Sequence, residues 1–191
     1  MTTETDDTPE SRWDGRVSLV RRLMIGVLVA GVAAFLIRGA IRPDDPSFVS
    51  SSRRPLPGFE QVAFTVTSPR GRIAEWCALL ADTDALRAKG LMDQTDLRGY
   101  DGMLFRWTSP VTSRFYMFDT KIPLSIAWFD QQGTFVGDAD MEPCRSTDPA
   151  ACETFGPERA YVSALEVAKG GLRALGIREG SELALGGEGC R

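Results

Sequence analysis

Apolar and polar residues alternate over several short stretches of this chain, a spacing typical of β-strands. Val62, Phe64 and Val66 alternate with small or polar residues and predict the first strand. The same pattern predicts strands at residues 73–81, 103–107, 114–118, 124–130, 134–138, 161–167 and 182–185. Thr83 as N-cap and Gly90 as C-terminal glycine predict a short helix at 84–89, and Gly176 ends a second one at 171–175. The prediction is therefore an α+β domain of mostly antiparallel sheet, forming a partly closed barrel or sandwich with two short helices.

The first quarter of the chain has a different pattern. Residues 23–37 are apolar and uncharged, arginines flank them, and further apolar residues extend the segment to 19–41. That length suits a bilayer-spanning helix, so we expect a signal anchor that binds the chain to the cytoplasmic membrane. A cleaved signal peptide and a buried soluble helix are the alternatives. The arginine excess before the segment favours a cytoplasmic N-terminus and an extracytoplasmic C-terminal domain.

This single-pass anchor divides the chain into four predicted parts. Residues 1–18 are polar and acidic, and we expect a disordered cytoplasmic tail. The transmembrane helix follows at 19–41, and residues 42–58, rich in proline and serine, form a linker. Residues 59–191 are left for the exported α+β domain, which is an ordinary size for one domain.

Composition excludes several function classes. The chain has no histidine, which removes Ser-His-Asp and Cys-His catalytic units and histidine-ligated zinc. It carries 22 basic and 26 acidic residues, a net charge of -4. With a pI of about 5.0, no nucleic-acid partner is expected. We predict no cofactor and no metal site, and no catalytic residue is assigned.

Five short motifs follow one another in a distinctive order. They are GLM at 90–92, DGMLF at 101–105, FYMFDTKIPL at 115–124, MEPC at 141–144 and the glycine-containing segment 164–180. The series resembles the small bacterial and archaeal family catalogued as domain of unknown function 192, over about residues 64–185. The resemblance implies a compact, mostly β, α+β domain that often follows a signal peptide or membrane anchor. It implies no activity. Where the family has F-W-M-K-N-T, this chain has FYMFDT at 115–120.

The four cysteines all lie on one side of the expected anchor. Cys144 and Cys152 enclose seven residues containing an Asp-Pro turn, and we predict a disulfide between them in an oxidising compartment. Two free thiols or half of a metal site are the alternatives. A second disulfide, Cys77–Cys190, requires the last strand to lie beside residues 73–81, and a free Cys190 is its alternative.

Four residues are candidates for ligand binding. Asp119 and Thr120 stand between two apolar strands, where they either bind a ligand or cap a turn. Glu166 ends an apolar strand, where it either faces a cleft or pairs with an arginine. Tyr116 belongs with the aromatic residues that either line a groove or fill the core.

Three functions from different classes are compatible with these residues. The first is an envelope-anchored binding or accessory module for an unidentified small molecule, glycan or protein. The second is a hydrolase of an envelope glycan or similar substrate, which requires Asp119 and Glu166 to converge in one pocket. The third is a metal-handling protein that uses methionine, cysteine or carboxylate ligands. Whether the protein is an enzyme is left open, with binding favoured.

Overall fold

The computed structural model describes residues 52–191, so the predicted tail, the anchor at 19–41 and most of the linker lie outside the described residues. Within 52–191, no helix is long and apolar enough to cross a membrane. These residues form nine strands: β1 (Glu60–Thr67), β2 (Ile73–Ala81), β3 (Gly102–Val111), β4 (Phe115–Tyr116), β5 (Leu124–Phe129), β6 (Phe135–Met141), β7 (Thr154–Phe155), β8 (Tyr161–Ala168) and β9 (Glu182–Leu185). The described part has one α-helix, α1 (Asp84–Lys89), and 3₁₀ turns at Pro149–Ala151 and Gly171–Arg173.

Seven of the strands form one mixed sheet, in the order β6-β5-β8-β3-β2-β1-β9. All its pairs are antiparallel except β2–β3, which are parallel because the chain crosses over through α1 between them. The remaining strands, β4 and β7, form a separate two-stranded ribbon. The mostly β prediction is therefore confirmed, and the sheet is mixed.

Of the two predicted architectures, a partly closed barrel or a sandwich, the barrel is wrong, since the sheet does not close on itself. Its edge strands are β6 and β9. In the described chain they are linked by one isolated bridge, between Thr134 just before β6 and Glu182 in β9. Only four residues long, β9 already pairs with β1 along its whole length, which leaves little backbone for a second ladder.

Helix α1 begins and ends where its sequence signals indicate. The Thr83 hydroxyl accepts a hydrogen bond from the Leu86 amide at 3.3 Å, and Gly90 ends the helix at a φ of +47°. The second predicted helix is wrong in type, because residues 171–173 make a single 3₁₀ turn. The strand predicted at 114–118 shortens to β4, because its partner β7 has only two residues to pair.

The sheet buries an apolar cluster on each face. In β3, Met103 and Phe105 belong to one cluster and Leu104 to the other, as alternation along a strand requires. The cluster containing Met103 also contains most of the buried aromatic residues, together with Leu56 from the linker and Phe59 from the start of the domain. This aromatic cluster borders the candidate site.

Two disulfides close the fold. The predicted Cys144–Cys152 bond is present, and so is Cys77–Cys190. The second bond holds the C-terminal residues against β2, where a Cβ added to Gly189 would stand 2.3 Å from the Trp76 carbonyl oxygen. Only glycine fits that approach, so the sequence GC at 189–190 suits a tail that lies directly on the strand.

Candidate functional site

A cavity of about 320 Å³ opens between α1, β3 and the segment around β4. Its walls combine aromatic rings, basic side chains and one buried carboxyl group. The lining residues central to its chemistry are Arg87, Phe105, Trp107, Arg114, Phe115 and Glu166. This volume lies at the lower end of the range of small-molecule sites, so it suits a ligand of about one ring.

Glu166 is brought to the cavity by alternation along β8. Its neighbours Leu165 and Val167 belong to the core cluster on one face of the sheet, so Glu166 faces the aromatic cluster on the other. Its partners across the sheet are Met103 on β3 and Ile126 on β5, both fully buried. The strand pattern thus places a carboxyl group where an apolar residue is normally found.

Burial dominates the electrostatics of this carboxyl group. Glu166 is 5% exposed, and within residues 52–191 its side chain has no hydrogen bond and no ion pair. Loss of water contacts disfavours the charged form and raises the pKa of Glu166 to about 8. At neutral pH the group therefore holds a proton and offers one O–H donor and one carbonyl acceptor.

Aromatic rings form the apolar wall. The ring centroid of Phe115 lies 5.0 Å from that of Phe105 and 6.2 Å from that of Trp107, in edge-to-face arrangements. Tyr161 packs edge-on to Trp107 at 5.3 Å, and its hydroxyl donates to the Ser113 carbonyl oxygen at 2.7 Å. Rings held in this way are rigid surfaces for a flat ligand.

Two arginines are fixed at the cavity by their own hydrogen bonds. The Arg87 guanidinium donates to Asp84 and to the carbonyl oxygens of residues 82 and 106, and lies 5.1 Å from the Trp107 ring centroid. Arg114 donates through Nε to the Thr154 hydroxyl at 3.0 Å and through Nη2 to the Thr154 carbonyl at 2.8 Å. The β4–β7 ribbon therefore positions Arg114.

Three of the four predicted ligand-binding residues line this cavity: Tyr116, Thr120 and Glu166. Asp119 is exposed, has a φ of +51°, and is not among the lining residues. The Thr120 hydroxyl donates to the Phe118 carbonyl at 3.3 Å, a contact typical of a turn. The structure thus does not bring Asp119 and Glu166 together in the cavity.

Sequence reasoning missed Arg87 and Arg114 as site residues. A signal for Arg87 was present, because Asp84, Arg87 and Ala88 share one face of a helix and all line the cavity. No local signal identifies Arg114, whose position depends on pairing between two strands of two residues each.

The metal-handling alternative would use methionine, cysteine or carboxylate ligands. Across residues 52–191, no group of three or more Cys, Asp or Glu side chains is placed to hold an ion. All four cysteines are in disulfides and have no thiolate to offer.

Comparison with known proteins gives a family and a fold. The sequence model of the family DUF192, described as "Uncharacterized ACR", matches residues 65–185. No curated protein matches the chain.

Two solved structures share the fold. A protein of unknown function from Novosphingobium aromaticivorans DSM 12444 superposes with a TM-score of 0.59 at 29% identity, covering 70% of this chain and 91% of its own. A protein from Sinorhizobium meliloti 1021, provisionally described as a transcription regulator, gives 0.60 at 20% identity, covering 69% and 98%. At that identity the second likeness concerns the fold alone.

Proposed function

This chain belongs to the DUF192 family, which is described only as uncharacterised, and we propose a function from the cavity in its structure. The domain binds a small organic molecule in that cavity, in contact with Glu166. One observation carries the proposal. A carboxyl group that is 5% exposed and has no partner within residues 52–191 lines a cavity walled by aromatic rings. The Glu166 oxygens are not among the fully enclosed atoms without a partner, so they remain open to the cavity, where a ligand can supply a hydrogen bond.

Binding is favoured over hydrolysis on the same evidence. Glycoside hydrolysis needs two carboxyl groups on either side of the scissile bond. The cavity contains Glu166 and Asp84, but the Asp84 carboxylate is paired with Arg87 and its side chain is fully exposed. Asp119 is not among the lining residues. The proposal is therefore a binding module rather than an enzyme.

We also propose that this module works outside the cytoplasmic membrane, tethered through residues 19–41. Two disulfides in one domain support an oxidising compartment, since cytosolic thiols are normally kept reduced. Alkylation in intact cells tests the location. A membrane-permeant maleimide is expected to leave the four cysteines unlabelled in the full chain and to label them when residues 19–41 are deleted. Labelling of the full chain would place the domain in the cytoplasm.

Obstruction of the cavity tests the binding proposal. The full-length chain, held in nanodiscs, is screened against cavity-sized organic fragments by ligand-observed NMR. Ala88 on α1 lines the cavity, whereas Ala85 on the same helix is exposed and does not. We expect hits for the wild type that Ala88→Trp loses and Ala85→Trp keeps. Absence of hits, or hits that Ala88→Trp retains, would overturn the proposal.

A further inference from the structure

Positively charged groups outnumber negatively charged ones around the cavity. The titratable groups that line it are Asp84, Arg87 and Lys89 from α1, Arg114 and Tyr116 from the β4 segment, and Glu166 from β8. The strands beside Glu166 add none, since its cross-strand neighbours on β3 and β5 are Met103 and Ile126. With Glu166 protonated, three cations face one carboxylate.

The excess positive charge is available to a ligand. The Asp84 carboxylate forms an ion pair with Arg87. Lys89 and Arg114 form no ion pair with any carboxylate within residues 52–191. The two hydrogen bonds from Arg114 to Thr154 use Nε and Nη2, which leaves Nη1 without a hydrogen bond in the described chain. A cleft lined by charge of one sign attracts ligands of the other.

Protonated Glu166 favours a ligand that carries an anionic oxygen. A protonated carboxyl group donates its O–H to an anionic oxygen, and this charge-assisted bond is stronger than one between neutral groups. A cationic ligand would instead meet Arg87, Lys89 and Arg114 at the same cavity. Protonated Glu166 and the three cations around the cavity therefore all favour an anionic ligand.

From this arrangement we infer that the Glu166 cavity selects small ring carboxylates. The aromatic walls accept the flat face of one ring, the Glu166 O–H donates to the carboxylate, and Lys89 and Arg114 attract its charge. This inference rests on the proposed function and names the ligand class of that site. Aromatic acids and sugar acids share this chemistry, and the test separates them.

Calorimetry with a matched panel tests the selection. The probes are benzoate and glucuronate, neutral benzamide and methyl glucoside, and cationic benzylamine and glucosamine, each titrated at pH 7 into the full-length chain in nanodiscs. At least one acid is expected to bind tenfold or more tightly than its neutral and cationic counterparts. The better of benzoate and glucuronate identifies the source of the carboxylate.

The protonation of Glu166 predicts the pH profile. Affinity for the acid should fall roughly 30-fold between pH 7 and pH 9.5, because the free carboxyl group ionises with a pKa of about 8 and then repels the ligand. Glu166→Gln keeps a donor and cannot ionise, so it should bind at pH 7 and lose the decline at pH 9.5. Glu158→Gln, an exposed control, should keep the decline.

Substitution of the basic residues tests the ligand class independently of Glu166. Lys89→Gln and Arg114→Gln should each weaken binding of the acid severalfold, whereas Arg70→Gln, on an exposed turn and absent from the cavity walls, should not. Tightest binding by a neutral or cationic probe would overturn the ligand class and leave the proposed function standing. Failure of the whole panel and of the fragment screen would overturn both.

Discussion

Glu166 is a buried carboxyl group in an apolar part of the sheet. Its cross-strand partners are Met103 and Ile126, and its side chain forms no hydrogen bond within residues 52–191. At the scale of single residues, the binding proposal rests on this carboxyl group, since perturbed pKa values cluster at functional sites.

The first prediction concerns Glu166→Gln and pH. The pKa of Glu166 is raised from 4.5 to about 8, so the folded state retains a proton that the unfolded state loses between these values. The contribution of Glu166 to stability should therefore be fully present below pH 4.5 and be lost as pH rises through 8, by on the order of 5 kcal/mol. Glu166→Gln should abolish this decline, measured as urea unfolding midpoints from pH 4 to 9.

The exposed Glu158 provides the control for that series. Glu158→Gln should follow the wild-type pH dependence, because Glu158 is exposed and does not line the cavity. Parallel curves for wild type and Glu166→Gln would contradict the account, since they would mean that the Glu166 carboxyl group titrates alike in the folded and unfolded chain.

The second prediction concerns Tyr161, whose hydroxyl is buried and bonded to the Ser113 carbonyl. Tyr161→Phe keeps the ring packing against Trp107 but leaves that carbonyl without its donor. We expect a loss of about 1–3 kcal/mol in unfolding free energy, measured in urea. Tyr161→Phe should also weaken ligand binding. Phe129→Leu, in the other core cluster, is the packing control and should leave ligand binding unchanged.

Local pattern was sufficient for some of these residues and not for others. The position of Glu166 at the end of an apolar strand was visible in the sequence, and so was the aromatic character of residues 105–116. Whether Glu166 meets an arginine partner or a cavity depends on side chains from α1 and β4, which are distant along the chain. Arg114 could not be identified because no periodicity marks a two-residue strand.

At the scale of elements, β3 and β8 determine the geometry of the cavity. They run antiparallel, and β8 passes so close to β3 that a Cβ on Gly102 would stand 2.4 Å from the Glu166 carbonyl oxygen. This close contact fixes the distance between β8 and β3 where Glu166 pairs with Met103. A glycine at the start of β3 is therefore part of the construction of the site.

The third prediction follows from that contact. Gly102→Ala should cost about 1–3 kcal/mol of stability through overpacking and should displace β8 at Glu166, weakening ligand binding. Denaturant unfolding and calorimetry measure the two effects. Gly170→Ala, at a site with open space but a φ of +81°, should lower stability and leave binding intact. Unchanged binding in Gly102→Ala would refute the positioning argument.

Element boundaries were predicted well where local signals mark both ends. Ile73–Ala81 and Asp84–Lys89 were predicted to the residue, because alternation and capping signals are local. The parallel pairing of β2 with β3 was missed, although a helix between two strands is typical of a crossover connection. Strand β7 was missed because two residues carry no pattern.

At the scale of the whole molecule, the two disulfides close loops of very different length. Cys144–Cys152 spans eight residues of sequence and leads into the β4–β7 ribbon, whereas Cys77–Cys190 spans 113 and fixes the C-terminus to β2. Loop-closure entropy grows with span, so the longer loop constrains the unfolded chain more.

The fourth prediction compares double variants. Cys77→Ala/Cys190→Ala should lose about 5 kcal/mol and Cys144→Ala/Cys152→Ala about 2–3 kcal/mol in unfolding free energy. The smaller loss should be accompanied by weaker ligand binding, since the shorter loop leads to the ribbon that positions Arg114. Urea unfolding under oxidising conditions ranks the variants, and a reversed order would contradict the loop-length argument.

A carbon-13 NMR titration of the Glu166 carboxyl group, assigned by its absence in Glu166→Gln, tests most directly whether this group is a neutral donor. We predict a pKa near 8 in the free protein and a higher one in the presence of the ring carboxylate that binds, because protonation and anion binding are coupled reciprocally. A pKa near 4.5, or one that the bound ligand leaves unchanged, would show that Glu166 is not the neutral donor of this cavity.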